Sequence, residues 1–125
     1  MSERRNAEKR GRRAETTAAM WLRVKGWRLV EKRARTPQGE IDLIMARGRT
    51  LAMIEVKERA DPEHWRDAVT PTQTQRIAQA AAAWLSRHPD WLDRFVRFDV
   101  VLLAPGRWPL HVPDAWRLAR DPGMG

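Results

Sequence analysis

Apolar residues recur along this chain in two rhythms, one helical and one alternating. Ala14, Ala18, Trp21, Leu22 and Lys25 fall at helical spacing, which predicts a helix over about Arg12 to Lys25 with Gly26 as its stop. A short strand is expected around Trp27–Lys32, then a turn at Thr36-Pro37-Gln38-Gly39. Residues 40–46 and 50–57 read as two strands joined by a tight turn at Arg47-Gly48-Arg49. Strict alternation would put Ile41, Leu43 and Met45 on one face of the first strand, and Glu40, Asp42 and Ile44 on the other. In the second, Ala52, Ile54 and Val56 share one face while Leu51, Met53, Glu55 and Lys57 share the other.

Residues 58–70 are polar and irregular and read as a mobile loop. The rhythm then returns to helical. Ile77, Ala80, Ala81, Trp84 and Leu85 form one apolar stripe over about Pro71 to Arg87, with Pro71 in the first turn and Thr70 as its cap. Residues 97–103 form an almost wholly apolar strand, as expected for one covered on both faces, and a short helical turn is expected near Asp114–Arg120. The order is αβββαβ, which predicts an α/β fold with a mixed sheet flanked by helices. Residues 1–10 read as a basic flexible arm, 11–120 as one domain, and 121–125 as a tail.

Charge changes this picture more than composition does. The net charge is +8, and all the excess lies in residues 1–35, where twelve basic residues face four acidic ones. Such a segment attracts polyanions through counterion release, so nucleic acid is one expected partner, DNA before RNA; a solvated basic tail is the other reading. Arg10, Arg12, Arg13 and Arg35 are the candidate nucleic-acid contacts. The chain has no cysteine, which excludes disulfides and thiolate metal sites. No apolar run approaches the roughly 20 residues of a membrane span, and the basic N-terminus lacks a signal peptide's apolar stretch. A cytoplasmic protein with no membrane association is expected.

Two acidic insertions interrupt the apolar strands: Glu40 and Asp42 in one, Glu55 (with Lys57) in the next. A carboxylate in a strand interior is costly unless it is paired or coordinates a metal. If the hairpin sets Asp42 beside Glu55, the crowded charges call for a hard divalent ion such as Mg²⁺ or Mn²⁺. Spacing alone leaves a second reading open, in which these are solvated charges or a Glu55–Lys57 ion pair on an exposed sheet face.

Among the tryptophans, Trp21 and Trp84 read as core. Trp65 reads as a loop residue folded onto the core or a base-stacking residue, and Trp91, Trp108 and Trp116 as core or partner surface. His64, His88 and His111 have no metal-type spacing.

Four segments together resemble the YraN-like family of small bacterial proteins, placed in the PD-(D/E)XK nuclease superfamily. They are Gly11-Arg12-Arg13-Ala14-Glu15, Gly39-Glu40-Ile41-Asp42-Leu43-Ile44, Glu55-Val56-Lys57 and Arg97-Phe98-Asp99-Val100-Val101, and the resemblance covers about residues 11 to 118. It implies a restriction-endonuclease-like fold, also seen in archaeal Holliday junction resolvases. It further implies a metal-dependent endonuclease acting on DNA, branched or structured DNA included. The alternative it leaves is a catalytically inactive nucleic-acid-binding module. By this resemblance Asp42 is the motif aspartate, Glu55 the second metal ligand and Lys57 the catalytic lysine. Glu15 would reach the same site through metal or water. Gln73 stands where the family more often has lysine, toward a phosphate. Asp99 is expected to be structural, and Glu40 to be either a support for the ligands or a surface charge. Symmetric cutting of two strands would require two sites, hence a homodimer.

Overall fold

The computed structural model describes residues 2–61 and 68–116, with side chains from residue 11 onward. Helix α1 spans Ser2–Val24. It buries Ala14, Ala18, Ala19 and Leu22 along one stripe. It ends where Lys25 and Gly26 donate back to the carbonyls of Leu22 and Arg23, with Gly26 at φ +94°, a backbone conformation that suits a residue without Cβ. Three strands follow, β1 (Arg28–Thr36), β2 (Gly39–Arg47) and β3 (Thr50–Glu58). Helix α2 spans Pro71–Arg87, a 3₁₀ turn spans Pro89–Trp91, and strands β4 (Phe95–Leu103) and β5 (Leu110–Val112) complete the order.

The sheet runs β1-β2-β3-β4-β5. Every neighbouring pair is antiparallel except β3 and β4, which are parallel and joined through α2. A parallel pair needs such a crossover, because no tight turn can return the chain to the same end. The helices cover opposite faces. Ala18, Ala19 and Leu22 of α1 pack with Leu43, Met45, Ala52 and Ile54. Ala80, Ala81 and Trp84 of α2 pack with Ile44, Ala46, Leu51 and Met53. This is the expected α/β arrangement, a mixed sheet flanked by helices, and it matches a restriction-endonuclease-like core.

Some boundaries and one face differ from expectation. Helix α1 begins at Ser2 rather than near Arg12, and β1 runs on to Thr36 rather than ending near Lys32. Strand β5 was not anticipated; it is three residues long and follows the proline-containing stretch after β4. On β2, Ile41 packs with Ile44 and Ala46 on the α2 side, not with Leu43 and Met45. Alternation therefore slips by one near Asp42. The ladder shows where: β1–β2 pairing skips Arg33 and Asp42 between Lys32↔Leu43 and Ala34↔Ile41 without a change of register, its shift lying further along at Leu29/Glu31, and β2–β3 pairing stops at Leu43↔Ile54. Asp42 has no ladder partner on either side. Its β1 counterpart, Arg33, stands at φ +50°, which a non-glycine residue rarely adopts.

Trp84 is core as expected, whereas Trp21 is half-buried and stacks on the exposed Trp108 at 5.2 Å. Trp91 and Trp116 are both half-buried, the latter stacked on Phe98. His64, Trp65, residues 117–120 of the anticipated last helical turn and the 121–125 tail lie outside the described residues, as does the side chain of Arg10. Among the described residues, no helix is long and apolar enough to cross a membrane.

Candidate metal centre

The break in the ladder creates the site. Where β2 leaves β3, Asp42 Oδ2 accepts a 2.9 Å hydrogen bond from the Val56 backbone N–H, so the carboxylate takes the place of the missing strand pairing. The slip also turns Asp42 toward α1. There it meets Glu15, which α1 buries to 6 % exposure, and Glu40 from the start of β2. One carboxylate oxygen from each of Glu15, Glu40 and Asp42 lies within 4.8 Å of the others. Three oxygen donors converging from a helix and a strand form a set suited to a hard divalent cation.

Cations border this cluster. Arg33 Nε stands 3.0 Å from Glu15 Oε2 and 3.8 Å from Glu40 Oε1, and Arg35 pairs with Glu40 at 3.4 Å. On β3, Lys57 Nζ lies 3.1 Å from Glu55 Oε1, both side chains mostly buried. Arg33 does not stand out in the sequence. Its left-handed backbone has no sequence signature, and the only available hint was a base in the strand preceding the acidic motif.

Protonation reports the crowding. Burial raises the Glu15 carboxyl above its usual range, Asp42 adds to the rise, and Arg33 opposes it. Burial also raises Asp42, against the hydrogen bond from Val56 and the charge of Lys57. Glu55 is pushed from 4.5 up to about 7, first by burial and then by Asp42, although Lys57 draws it down. Carboxyls raised by burial and by like charge are groups for which a dication would substitute.

The structure thus brings Glu15 and Asp42 together as ligand candidates and adds Glu40. Glu55 borders the cluster electrostatically, while its own oxygen is engaged by Lys57. Gln73 has a separate employment. It is the third residue of α2, where its Oε1 accepts from the Thr70 N–H at 2.9 Å and its own N–H donates to Thr70 Oγ1 at 3.2 Å, closing a capping box. Arg12, Arg13 and Arg35 are exposed, the first two one turn or less before Glu15 on α1.

Asp99 is the other buried acid, fully enclosed at the β4–β5 edge. It accepts two 2.9 Å hydrogen bonds from Arg97, one of 2.7 Å with His111 Nε2 and one of 2.9 Å from the Asp114 N–H. Burial alone would raise it, but these bonds hold its carboxyl below the ordinary value. Four hydrogen bonds to one carboxylate are the arrangement of a structural acid.

Comparison with known proteins places the chain among its relatives. Residues 14–103 match the model of the uncharacterised protein family UPF0102. The chain is 51% identical over 107 residues to a UPF0102 protein of Parvibaculum lavamentivorans, covering 86% of this chain and 80% of that one. It is 49% identical over 110 residues to one of Caulobacter vibrioides, covering 88% of each. A relative from Rhizorhabdus wittichii is 45% identical over 116 residues, spanning 93% of this chain and 98% of its own.

Proposed function

The chain belongs to the UPF0102 family, and from that premise we propose that it is a metal-dependent nuclease hydrolysing phosphodiester bonds in DNA. The observation that carries this reading is the convergence of Glu15, Glu40 and Asp42 within 4.8 Å where β2 leaves its ladder, next to the Glu55–Lys57 pair. Glu15, Glu40 and Asp42 would hold Mg²⁺ or Mn²⁺, with Glu55 joining them when Lys57 turns away. Such an ion, when bound, supplies Lewis acidity toward a phosphoryl oxygen.

The protein's own groups account for the rest. The Val56 N–H fixes one Asp42 oxygen and so orients the other. Arg33 holds Glu15 in place across the site. Lys57 Nζ, released from Glu55 by an arriving phosphate, balances charge developing on the phosphoryl oxygens. The attacking water gives up its proton to solvent as its oxygen bonds to phosphorus, and the leaving oxygen takes a proton up as its bond to phosphorus breaks. The products are a phosphomonoester and a free hydroxyl. Cutting both strands of a duplex would engage two copies of the chain.

The test is incubation with Mg²⁺ or Mn²⁺ and a panel of linear, flapped, single-stranded and four-way DNA. Cleavage of at least one substrate, absent in Asp42→Ala and Lys57→Ala, is the expected result. An intact panel with wild-type protein would refute the catalytic reading.

A second reading has its own support. Glu55 is engaged by Lys57 and Gln73 by the α2 cap, so two groups expected at the reaction centre already have partners. A nucleic-acid-binding module without turnover fits those two facts. It predicts DNA binding that survives Asp42→Ala and Lys57→Ala.

A further inference from the structure

Three arginines from three separate segments converge at the turn end of the β2–β3 hairpin, the opposite end of β2 from the acidic cluster. Arg28 opens β1, Arg47 closes β2, and Arg94 precedes β4; together with Gly26 and Gly48 they line a cleft of about 390 Å³. Each guanidinium is held over a tryptophan ring. Arg47 lies 4.6 Å from the ring centre of the buried Trp27, while Arg94 and Arg28 lie 5.1 Å and 5.8 Å from that of Trp91. Backbone carbonyls add anchors: Arg94 Nη1 donates to Gly48 O at 3.3 Å, and Arg47 Nη1 to Lys25 O at 3.5 Å. Stacking and carbonyl bonds fix a guanidinium without neutralising it.

The charges are also nearly unanswered. Among the described residues, neither Arg28 nor Arg47 has an ion-pair partner, and Arg94 has only Asp93 at 3.5 Å. Arg94 Nε is buried and makes no hydrogen bond. The glycines at the two turns, Gly26 at φ +94° and Gly48 at φ +58°, add no side chain of their own to the cleft that the arginines line. The exposed Arg23, Lys25 and Arg49 extend the positive surface around it. Three pre-positioned, poorly compensated guanidiniums around an open cleft make a receptor for tetrahedral oxyanions, and the fork of Arg suits phosphate above other anions.

We infer that this arginine cleft is a second anchoring point for a nucleic-acid backbone, gripping phosphates away from the acidic cluster. Asp42 and Arg47 are five residues apart along one strand, so the two points are separated by roughly 17 Å. Duplex DNA carries one phosphate per about 3.4 Å on each strand, so the cleft holds phosphates about five base pairs from the one at the acidic cluster. The inference rests on the proposed nucleic-acid partner but not on cleavage. It also moves part of the interface away from Arg12 and Arg13, onto a surface that forms only when three distant segments fold together.

The test is fluorescence anisotropy of a labelled DNA duplex with the full-length protein, in chelator, across a salt series. Arg28→Gln/Arg47→Gln removes two exposed charges of the cleft. Arg87→Gln/Arg107→Gln removes two exposed charges elsewhere and serves as the control. Circular dichroism melts check that both are folded. The cleft variant is expected to bind more weakly than the control, with a log K against log salt slope shallower by about 2, one unit for each phosphate no longer neutralised. A slope equal to the control's overturns the cleft and leaves the nucleic-acid partner standing. Absence of any DNA binding by wild-type protein overturns both.

Discussion

At the scale of single residues, the site is a problem in charge crowding. Asp42 stands close to Glu15 and Glu40, and Glu55 is raised by both Asp42 and Glu15. Asp42→Asn keeps an acceptor for the Val56 N–H while removing one negative charge. It should therefore raise the melting temperature in chelator at pH 8, and where Mn²⁺ is expected to stabilise the wild type it should not stabilise this variant; calorimetric titration of both with Mn²⁺ checks the second half directly. pH gives an independent handle. Glu55 is raised from 4.5 to about 7, so between those values the folded chain retains a proton that the unfolded chain has released. Stability without metal should then fall as pH rises through that interval, and Glu15 and Asp42 act in the same direction. Asp99 acts oppositely, but only at pH values below its ordinary 3.8. Melts in chelator should show a higher midpoint at pH 5.5 than at pH 8, and Glu55→Gln should flatten most of the difference. Asp99→Ala is a different case: it strands Arg97 and His111 beside an emptied buried site, and urea titration should show a loss on the order of 3 kcal/mol.

At the scale of elements, the legible parts are those whose burial follows one period. Helix α2 is legible to its boundaries because its stripe, its Thr70 cap and Pro71 all agree. Its capping box is a clean target: Thr70→Ala should cost about 1 kcal/mol, measurable by thermal or urea unfolding. The strands carrying the acids are also legible, since charged residues stand out in apolar runs. Their facing is not. Alternation assumes an unbroken ladder, and the slip at Asp42 depends on the left-handed Arg33 in a different strand, which no local pattern encodes. Strand β5 escapes for a related reason. Three residues are too few to show a period, and it is held by the Asp99 network rather than by its own composition.

At the scale of the whole molecule, the αβββαβ order and the two covering helices follow from sequence, because each face of the sheet has its own apolar partners. The acidic cluster is visible there only in part. Asp42, Glu55 and Lys57 stand out by strand context, whereas Glu15 is suggested by family resemblance and Arg33 not at all, since their convergence requires α1 to cross the sheet. The arginine cleft is invisible for the same reason. Its members lie at positions 28, 47 and 94 and meet only in the folded chain. The parallel pairing of β3 with β4 has a consequence for the order of events during synthesis. Every acidic residue of the cluster is translated by residue 55, yet the strand that covers the other edge of β3 begins only at Phe95, after α2 has been made. A ribosome-bound chain arrested soon after β3 thus exposes an unpaired strand edge, with the carboxylates already translated but not yet held in place by a completed sheet. Completion of β4 is the step that closes that edge, so metal capture by nascent chains should rise sharply once residues 95–103 have cleared the exit tunnel.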